Sequence, residues 1–366
     1  MTRVAVIGTG VMGKNHVRVY KEMPETELVA IVDQDPAMAE PASRYYGVPY
    51  YTDFHEMVQK ERPEAVTVAV NTNAHFQVVS DLLEMGCHVL VEKPIAASLE
   101  EADRLIELAE QKERVLAVGH IERFNPAIVE LKRRLMNQEL GNVFQIHARR
   151  LGPFPPRIRD VGVVMDLAIH DLDIMQHLVG HDVTRLFAEA KRTLANSCED
   201  LFVGTLRFDD NTIGLLEINW LTPTKIRELY LTGERGMYRV NYITQDLCFF
   251  ENAEVNEHEF KALSLLRGVS EGSMIQYAIK KKEPLRAELE TFIARVIGKD
   301  APIVSGRDAK KALSLALALV ESTRTGCIQE VRHDNISGSI RIGSNESVSQ
   351  SRQVELSPVS FSEKGG

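Results

Sequence analysis

Cysteine is scarce in this sequence of 366 residues, and none of its four cysteines stands in a CxxC pair. Cys87, Cys198, Cys248 and Cys327 lie far apart, unlike the ligands of a zinc finger or the thiols of a dithiol redox motif. We therefore expect free thiols in a reducing compartment, and we predict a cytoplasmic protein.

Long apolar runs and a basic surplus are also missing. No apolar run approaches the roughly 20 residues that a membrane-spanning helix needs. The formal net charge is -9, whereas a nucleic-acid-binding protein usually carries an excess of basic residues. We therefore expect neither a membrane nor a nucleic acid as a partner. The remaining balance, 44% hydrophobic and 26% charged residues, is typical of a soluble globular protein, and the length suits two domains.

Residues 1–120 alternate short apolar runs with amphipathic stretches. Nearly continuous apolar strands separated by helices are typical of a parallel sheet that helices cover on both faces. We therefore predict an α/β Rossmann domain with a doubly wound parallel sheet, whose strands are RVAVIG, ELVAIVD, AVTVAV, HVLVEK and RVLAVGH.

After His120 the pattern changes to successive strands with few helices. The segment DDNT between two of these strands indicates a hairpin. We predict an α+β domain over residues 121–331 with a large, mainly antiparallel sheet. Residues 332–366 are rich in serine and asparagine and lack periodicity, so we predict a disordered tail there.

The first predicted strand ends in a glycine-rich turn, GTGVMG, that leads into a helix. Gly8 permits a tight turn, Gly10 lets the backbone approach a pyrophosphate, and Gly13 lets the helix pack on the strand. The free N–H groups at the helix start, at Val11 and Met12, favour an anion. This context indicates a dinucleotide site; the alternative is a glycine turn without a ligand.

Two further strand ends support a dinucleotide. Asp33 lies about 20 residues beyond the last glycine, as the fingerprint requires. Its carboxylate can accept both ribose hydroxyls and would repel a 2′-phosphate, so we predict NAD rather than NADP; otherwise Asp33 is an ordinary strand-end cap. In NTNAH, we predict that the residues flank the cofactor, since strand ends line the crevice of such folds. An asparagine-rich turn is the alternative.

Two segments carry side chains suited to proton transfer. In VEKPI, Lys93 follows Glu92 at a strand end, where a lysine can exchange a proton with a substrate hydroxyl. In MDLAIHDLD, Asp166 and His170 are four residues apart on one helical face, so Asp166 can orient the imidazole and His170 can act as general base. The alternatives are a surface lysine and a surface ion pair. Because there is no HExxH motif or cysteine cluster, we predict no metal.

Together, GTGVMGKNH, Asp33, NTNAH, EKP and DLAIHDLD make residues 1–331 resemble the Gfo/Idh/MocA family of NAD(P)-dependent sugar dehydrogenases. The resemblance implies that Lys93 contacts the reacting hydroxyl, that His170 is the catalytic histidine and that Asp166 is its neighbour. It also implies a homodimer or homotetramer assembled through the second sheet. The predicted NAD contacts are Gly8, Gly10, Val11, Met12, Gly13, Asp33, Asn71, Thr72, Asn73, His75, Glu92 and Lys93.

Two other segments, VGHIERFNPA and EPLRAELETF, look like the subgroup that oxidises the 3-hydroxyl of UDP-N-acetylglucosamine. The segment HARRLGPFPPRIRD adds Arg149, Arg150, Arg157 and Arg159, and arginines suit bidentate diphosphate binding. A free polyol would not need this cluster; the alternative is solvated arginines or oligomer contacts. The predicted substrate contacts are Lys93, Arg123, Asn125, Arg149, Arg157, Asp166 and His170.

We therefore predict an NAD-dependent oxidoreductase that converts a sugar-ring hydroxyl to a ketone, with the 3-hydroxyl of a UDP-N-acetyl-hexosamine as the favoured substrate. Either His170 or Lys93 is the base. The keto product would suit a pyridoxal-phosphate aminotransferase as a functional partner. Two alternatives stay open: a dehydrogenase of inositol or another unactivated sugar, and a non-catalytic NAD-binding sensor.

Overall fold

The computed structural model describes residues 1–154, 162–194, 198–253, 271–333 and 340–344. Residues 1–120 are built on a parallel sheet. The strands are β1 (Thr2–Ile7), β2 (Thr26–Val32), β3 (Tyr50–Tyr51), β4 (Ala65–Val68), β5 (His88–Glu92) and β6 (Leu116–Gly119). Their order in the sheet is β3-β2-β1-β4-β5-β6, and all pairs are parallel. The predicted α/β class is confirmed; β3, only two residues long, was not predicted. The strand order places the switch point of the sheet between β1 and β4.

Five helices connect these strands: α1 (Val11–Glu22), α2 (Pro36–Tyr46), α3 (Phe54–Glu61), α4 (Thr72–Glu84) and α5 (Leu99–Gln111). Local capping sets several of their ends. Asp35 caps α2 by accepting a hydrogen bond from Ala37 N at 2.9 Å, and Gly47 ends this helix in the left-handed region. Ser98 caps α5 in the same way as Asp35 caps α2.

A ten-stranded sheet forms the second half. Its strands are β7 (Val143–Pro153), β8 (Val183–Lys191), β9 (Leu201–Phe208), β10 (Ile213–Asn219), β11 (Leu221–Gly233), β12 (Gly236–Asn241), β13 (Asp246–Asn252), β14 (Glu271–Gln276), β15 (Gln329–His333) and β16 (Ile340–Ser344). The order is β14-β13-β12-β11-β7-β10-β9-β8-β15-β16. Among the described strands of this sheet, only β7 and β10 pair in parallel, which confirms the predicted mainly antiparallel sheet. β9 and β10 form the hairpin predicted at DDNT, where Asn211 takes a φ of 71°.

The remaining α-helices of the described ranges are α6 (Pro126–Met136), α7 (Ile169–Val179), α8 (Pro284–Val296) and α9 (Gly306–Thr325). A short 3-10 helix over Ile121–Phe124 precedes α6, and a π-helical turn over Val164–Ala168 leads into α7. Ser305 and Asp308 form a capping box at the start of α9. α7 and α9 cover one face of the second sheet, where Leu172 and Leu319 belong to its core. The site described below therefore lies on this face of the sheet, where α7 covers it.

The last two helices also reach the first sheet. Leu289 and Phe292 of α8 share a buried cluster with Val4 and Val6 of β1. Beside them, Val118 N of β6 donates to Val304 O at 3.0 Å. The first sheet ends with β6 and the second begins with β7, but α8 and α9, which follow β14 in sequence, also pack on the first sheet.

The end of the chain differs from the sequence-based expectation where it is described. A disordered tail was predicted from residue 332, yet β15 runs to His333 and pairs with β16. Ile340 and Ile342 alternate with Arg341 and Gly343 in β16, a period that suits a strand. Residues 334–339 and 345–366 lie outside the described part. Among the described helices, none combines the length and apolar character needed to cross a membrane.

Candidate active site

The glycine turn between β1 and α1 depends on the absence of side chains. Gly8 has a φ of +90°, and a Cβ there would lie 2.5 Å from Ala69 O. A Cβ on Gly13 would lie 1.8 Å from Gly8 O. Gly10 differs, because a Cβ there would meet nothing within 4 Å. Gly8 and Gly13 therefore pack the turn against β4 and α1, whereas Gly10 faces open space.

That open space lies at the N-terminus of α1, which is built to accept an anion. Gly10 occupies the N-cap position without a side-chain cap, and the first turn of α1 contains no acidic residue. Val11 is 63% exposed, so its backbone is open to a ligand. Free N–H groups and the helix dipole together favour a phosphate here. The residues present thus fit the pyrophosphate of a dinucleotide.

Asp33 lies just beyond β2 and is anchored to the same turn. Its Oδ2 accepts hydrogen bonds from Thr9 N at 2.8 Å and Thr9 Oγ1 at 2.7 Å, and its Oδ1 accepts one from Asp35 N at 3.1 Å. These bonds fix the carboxylate at the carboxyl edge of the sheet beside the glycine turn. That placement is the one predicted for the ribose-binding acid of an NAD site.

The segment after β4 divides into exposed and buried residues. Asn71 is exposed at the N-cap of α4 without a side-chain cap, Asn73 is exposed, and Thr72 is half-buried, so all three can face a ligand across the switch point. His75 is buried, with Nδ1 2.8 Å from Pro94 O and Nε2 3.1 Å from Val70 O. Burial lowers its pKa, and the neutral ring ties α4 to the turn after Lys93. His75 was predicted to contact the cofactor, and its buried position between two backbone oxygens differs from that role.

Glu92 also differs from its predicted role as a cofactor contact. It is buried at the end of β5, and its Oε1 lies 2.8 Å from Nε2 of His16 in α1. Burial raises the pKa of Glu92, but the hydrogen bond and charge of His16, together with the charge and backbone N–H of Lys93, outweigh that effect and hold it below its ordinary value. The carboxylate therefore joins β5 to α1 beneath the crevice.

Lys93 leaves the sheet at the carboxyl end of β5 and reaches across to the second half of the chain. Its Nζ donates to the backbone oxygen of Asp166 at 2.8 Å and lies 3.3 Å from Asp166 Oδ1. The side chains of both residues are less than a fifth exposed. The ammonium is thus held at the junction of the two sheets, above the parallel strands.

His170 lies one turn further, in the first turn of α7. Asp166 does not hydrogen-bond to His170 as the sequence predicted, because the turn between them is π-helical and Asp166 bonds to Lys93 instead. No hydrogen-bond partner for His170 Nδ1 is found among the described residues. Burial, followed by the charges of Lys93, Arg150, His120 and Arg227, holds the pKa of His170 well below 6.5. Nδ1 is buried while the residue as a whole is half-buried, and a neutral imidazole can accept a proton at its accessible nitrogen.

The sequence analysis did not assign His120 and Arg227 to this site. His120 follows β6, is buried, and has no hydrogen-bond partner for either ring nitrogen within the described ranges. Its ring centroid lies 6.4 Å from that of His170. The signal for His120 was its place at a strand end beside Lys93. Arg227 lies in the middle of a long second-sheet strand, where the sequence carries no comparable signal.

The predicted substrate-binding arginines are mostly committed to other partners. Arg123 forms a bidentate pair with Asp173. Arg149 bonds to Glu217 Oε2 at 2.7 Å, on the sheet face opposite α7, because neighbouring strand residues point to opposite faces. Asn125 is buried; its Nδ2 donates to Tyr242 O, and its Oδ1 accepts from Ala127 N. Lys93, Asp166 and His170 are therefore brought together, Arg149 and Asn125 are not, and Arg157 lies outside the described residues.

Comparisons with known proteins agree with this geometry. Residues 2–120 match the sequence model described as an oxidoreductase family with an NAD-binding Rossmann fold, and residues 128–239 match the Gfo/Idh/MocA C-terminal domain. The chain is 25% identical to UDP-N-acetylglucosamine 3-dehydrogenase of Acidithiobacillus ferrooxidans, over 86% of this chain and 95% of the relative. A crystal structure of that enzyme superposes with a TM-score of 0.76, covering 88% of this chain and 98% of the other.

Other relatives broaden the picture. The chain is 26% identical to myo-inositol 2-dehydrogenase of Thermotoga maritima, over 90% of this chain and 99% of the relative. An oxidoreductase from Agrobacterium radiobacter, crystallised with NAD+, L-tartaric acid and magnesium, shares the fold at a TM-score of 0.78 and 20% identity, over 90% of this chain and 98% of the other. The chain belongs to the Gfo/Idh/MocA family of NAD-dependent oxidoreductases, which includes sugar dehydrogenases.

Proposed function

We propose that this protein oxidises the 3-hydroxyl of a UDP-N-acetyl-hexosamine to a ketone, with NAD as cofactor. The observation that carries the proposal is the convergence of Lys93, Asp166 and His170 at the carboxyl edge of an NAD-binding sheet. When bound, NAD supplies the hydride acceptor. The chain must then hold the substrate alcohol and remove its proton, and both tasks suit these side chains.

The two polar groups divide this work. His170 is neutral and half-buried, so the accessible side of its imidazole, rather than the buried Nδ1, takes the hydroxyl proton as general base. Lys93 carries several donors and bonds to Asp166 in the structure; it donates one bond to the substrate oxygen and fixes its position. Asp166 in turn holds Lys93. This assignment chooses between the two bases that the sequence left open.

The substrate is inferred from the relatives. The similarity to UDP-N-acetylglucosamine 3-dehydrogenase covers nearly the full length of both chains. Inositol is the second candidate, because myo-inositol 2-dehydrogenase is equally similar over a comparable length. We further propose that the chain forms a homodimer or homotetramer in the cytoplasm, and that a pyridoxal-phosphate aminotransferase consumes its keto product.

The test is NADH formation with UDP-N-acetylglucosamine, UDP-N-acetylgalactosamine and myo-inositol. We expect turnover with a UDP-sugar, and we expect Lys93→Met and His170→Ala to lower kcat at least about 100-fold, since each removes a group from proton transfer. Both variants should still bind NAD. Lys60→Met and His55→Ala, at exposed positions on α3, are the matched controls. Near-wild-type turnover in both site variants would contradict the assigned roles, and turnover of inositol alone would overturn the substrate.

A further inference from the structure

One arginine near His170, Arg227, has no carboxylate partner among the residues that the structure describes, unlike the neighbouring Arg150. Arg150 is buried and pairs with Asp171 and Glu122. Arg227 lies directly opposite Arg150, on β11 against β7, in the cross-strand register. Within the described residues Arg227 forms no ion pair; its hydrogen bonds run from Nη1 to Leu151 O and Ile226 O.

Those two bonds hold the guanidinium at one corner only. Nη1 is fixed by carbonyl oxygens of two neighbouring strands, while Nε and Nη2 have no protein acceptor in the described ranges. The edge formed by Nε and Nη2 is the fork that binds carboxylate and phosphate groups in a bidentate manner. The guanidinium of Arg227 is therefore oriented by the protein, but its Nε and Nη2 donors lack acceptors among the described residues, as expected of a residue that binds a ligand.

The position of Arg227 places this fork on the side of the sheet that carries the site. Arg150, its cross-strand partner, bonds to Asp171, the residue next to His170 in α7. Side chains of directly opposed residues lie on the same face. The charge of Arg227 contributes to the low pKa of His170, and the charge of Asp166 acts on Arg227. Arg227 thus looks onto the same space as the candidate catalytic groups.

The local backbone keeps this space open. The β7–β11 register shifts between Leu221 and Ile226, so β11 bulges just before Arg227, and bulges often re-aim side chains next to active sites. Gly152 lies beside the bulge, and a Cβ there would already contact both Nη atoms of Arg227 at 3.9 Å. The absence of a side chain at residue 152 leaves the guanidinium uncovered.

An unpaired cation opposite another arginine is costly unless something offsets it. Burial and the charge of Arg150 lower the pKa of Arg227 to about 10, which still leaves it charged at neutral pH. Like charges directly opposite each other on adjacent strands are destabilising. An anionic ligand would relieve both effects by supplying the missing counter-charge.

We propose that Arg227 binds an anionic group of the substrate through its Nε–Nη2 edge and thereby selects charged sugars over neutral polyols. The inference deepens the proposed function and rests on it: in a UDP-sugar the anionic group is the diphosphate. It replaces the sequence-based expectation that Arg123 and Arg149 hold this group, because both are already paired with carboxylates.

The test is isothermal titration of the full-length protein, which is first saturated with NADH. The three titrants are UDP, uridine and glucuronate. We expect UDP to bind the wild type, Arg227→Gln to weaken UDP binding at least about tenfold, and Arg227→Lys to restore part of it. Uridine should bind weakly and equally to all three proteins. If glucuronate, rather than UDP, depends on Arg227, the anion site stands and its ligand is a sugar carboxylate.

The matched control is Arg239→Gln, which alters another half-buried arginine of the same sheet, opposite Tyr230 and on the other face. It should bind UDP as the wild type does. Thermal unfolding of each variant shows that it is folded. Equal UDP affinity of wild type and Arg227→Gln, or no binding of any probe to the wild type, would overturn the inference. If Arg227 proved unnecessary for UDP binding but UDP-N-acetylglucosamine were still turned over, the proposed function would stand without this inference. If UDP binding depended on Arg227 but no UDP-sugar were turned over, the anion site would stand and the proposed function would be refuted.

Discussion

His170 shows how one residue takes its chemical state from its neighbours. Burial disfavours a charged imidazole, and the cations around it disfavour that charge further, with Lys93 the largest of them. A general base must be unprotonated at the working pH to accept a proton. Lys93, which we propose positions the substrate oxygen, therefore also helps to keep the imidazole neutral.

The first prediction concerns this pair. Replacing Lys93 with Met removes a positive charge that opposes protonation and also frees the Asp166 carboxylate, so the pKa of His170 should rise. An NMR titration that follows the imidazole ring proton of His170 measures the change. Lys60→Met, on the surface of α3, should leave the titration unchanged. A His170 pKa that stays where it is in Lys93→Met would show that burial and the other cations set it without Lys93.

At the scale of the element, the β1–α1 turn was predictable and the turn before α7 was not. The spacing of Gly8, Gly10 and Gly13 marks a phosphate-binding turn wherever a strand precedes it and a helix follows. The π-helical turn at Asp166 is a single turn of five residues and carries no comparable sequence mark. The sequence therefore indicated Asp166 and His170 as candidate site residues, but it paired Asp166 with His170, whereas the structure pairs it with Lys93.

The second prediction separates the roles of two glycines in that turn. Gly10→Ala adds a Cβ that meets no protein atom, so the free energy of unfolding should change by less than about 0.5 kcal/mol, while NAD affinity falls because the methyl group occupies the space left for a pyrophosphate. Gly13→Ala brings Cβ against Gly8 O and should cost about 1–3 kcal/mol of stability as an overpacked contact.

Urea unfolding and NAD titration of both variants check this pair. Each variant serves as the control for the other, because both add one methyl group to the same turn. Unchanged NAD binding in Gly10→Ala would mean that the open space at the start of α1 is not the cofactor site.

At the scale of the whole molecule, the two sheets were predictable and their junction was not. Strand periodicity and the hairpin signal at DDNT depend on neighbouring residues, so they can be recognised in the sequence. The docking of α8 on β1 joins residues more than 250 positions apart, and nothing local in EPLRAELETF distinguishes a helix on the first sheet from one on the second. The unpaired state of Arg227 likewise depends on where Asp171 and Glu122 finally lie.

The same junction buries Glu288, whose carboxyl group has no hydrogen-bond partner among the described residues. Glu288 lies on the face of α8 that packs against the first sheet. Burial, followed by the charges of Glu92 and Asp173, raises the pKa of Glu288 well above 4.5. The folded protein thus keeps this carboxyl protonated at a pH where the unfolded chain has released the proton.

The last prediction follows from that difference in proton binding. Below about pH 4.5 both states hold the proton, so Glu288 costs no ionisation energy there. As the pH rises, the unfolded state alone gains from ionisation, and the stability of the wild type falls by at most about 1.4 kcal/mol per pH unit. Glu288→Gln removes this dependence, so its stability advantage should grow from pH 5 to pH 8 in urea unfolding. Glu107→Gln, exposed on α5, is the control. A stability difference between Glu288→Gln and wild type that stays constant across this range would mean that Glu288 ionises in the folded protein, which requires water or a counter-charge to reach the interface between α8 and the first sheet.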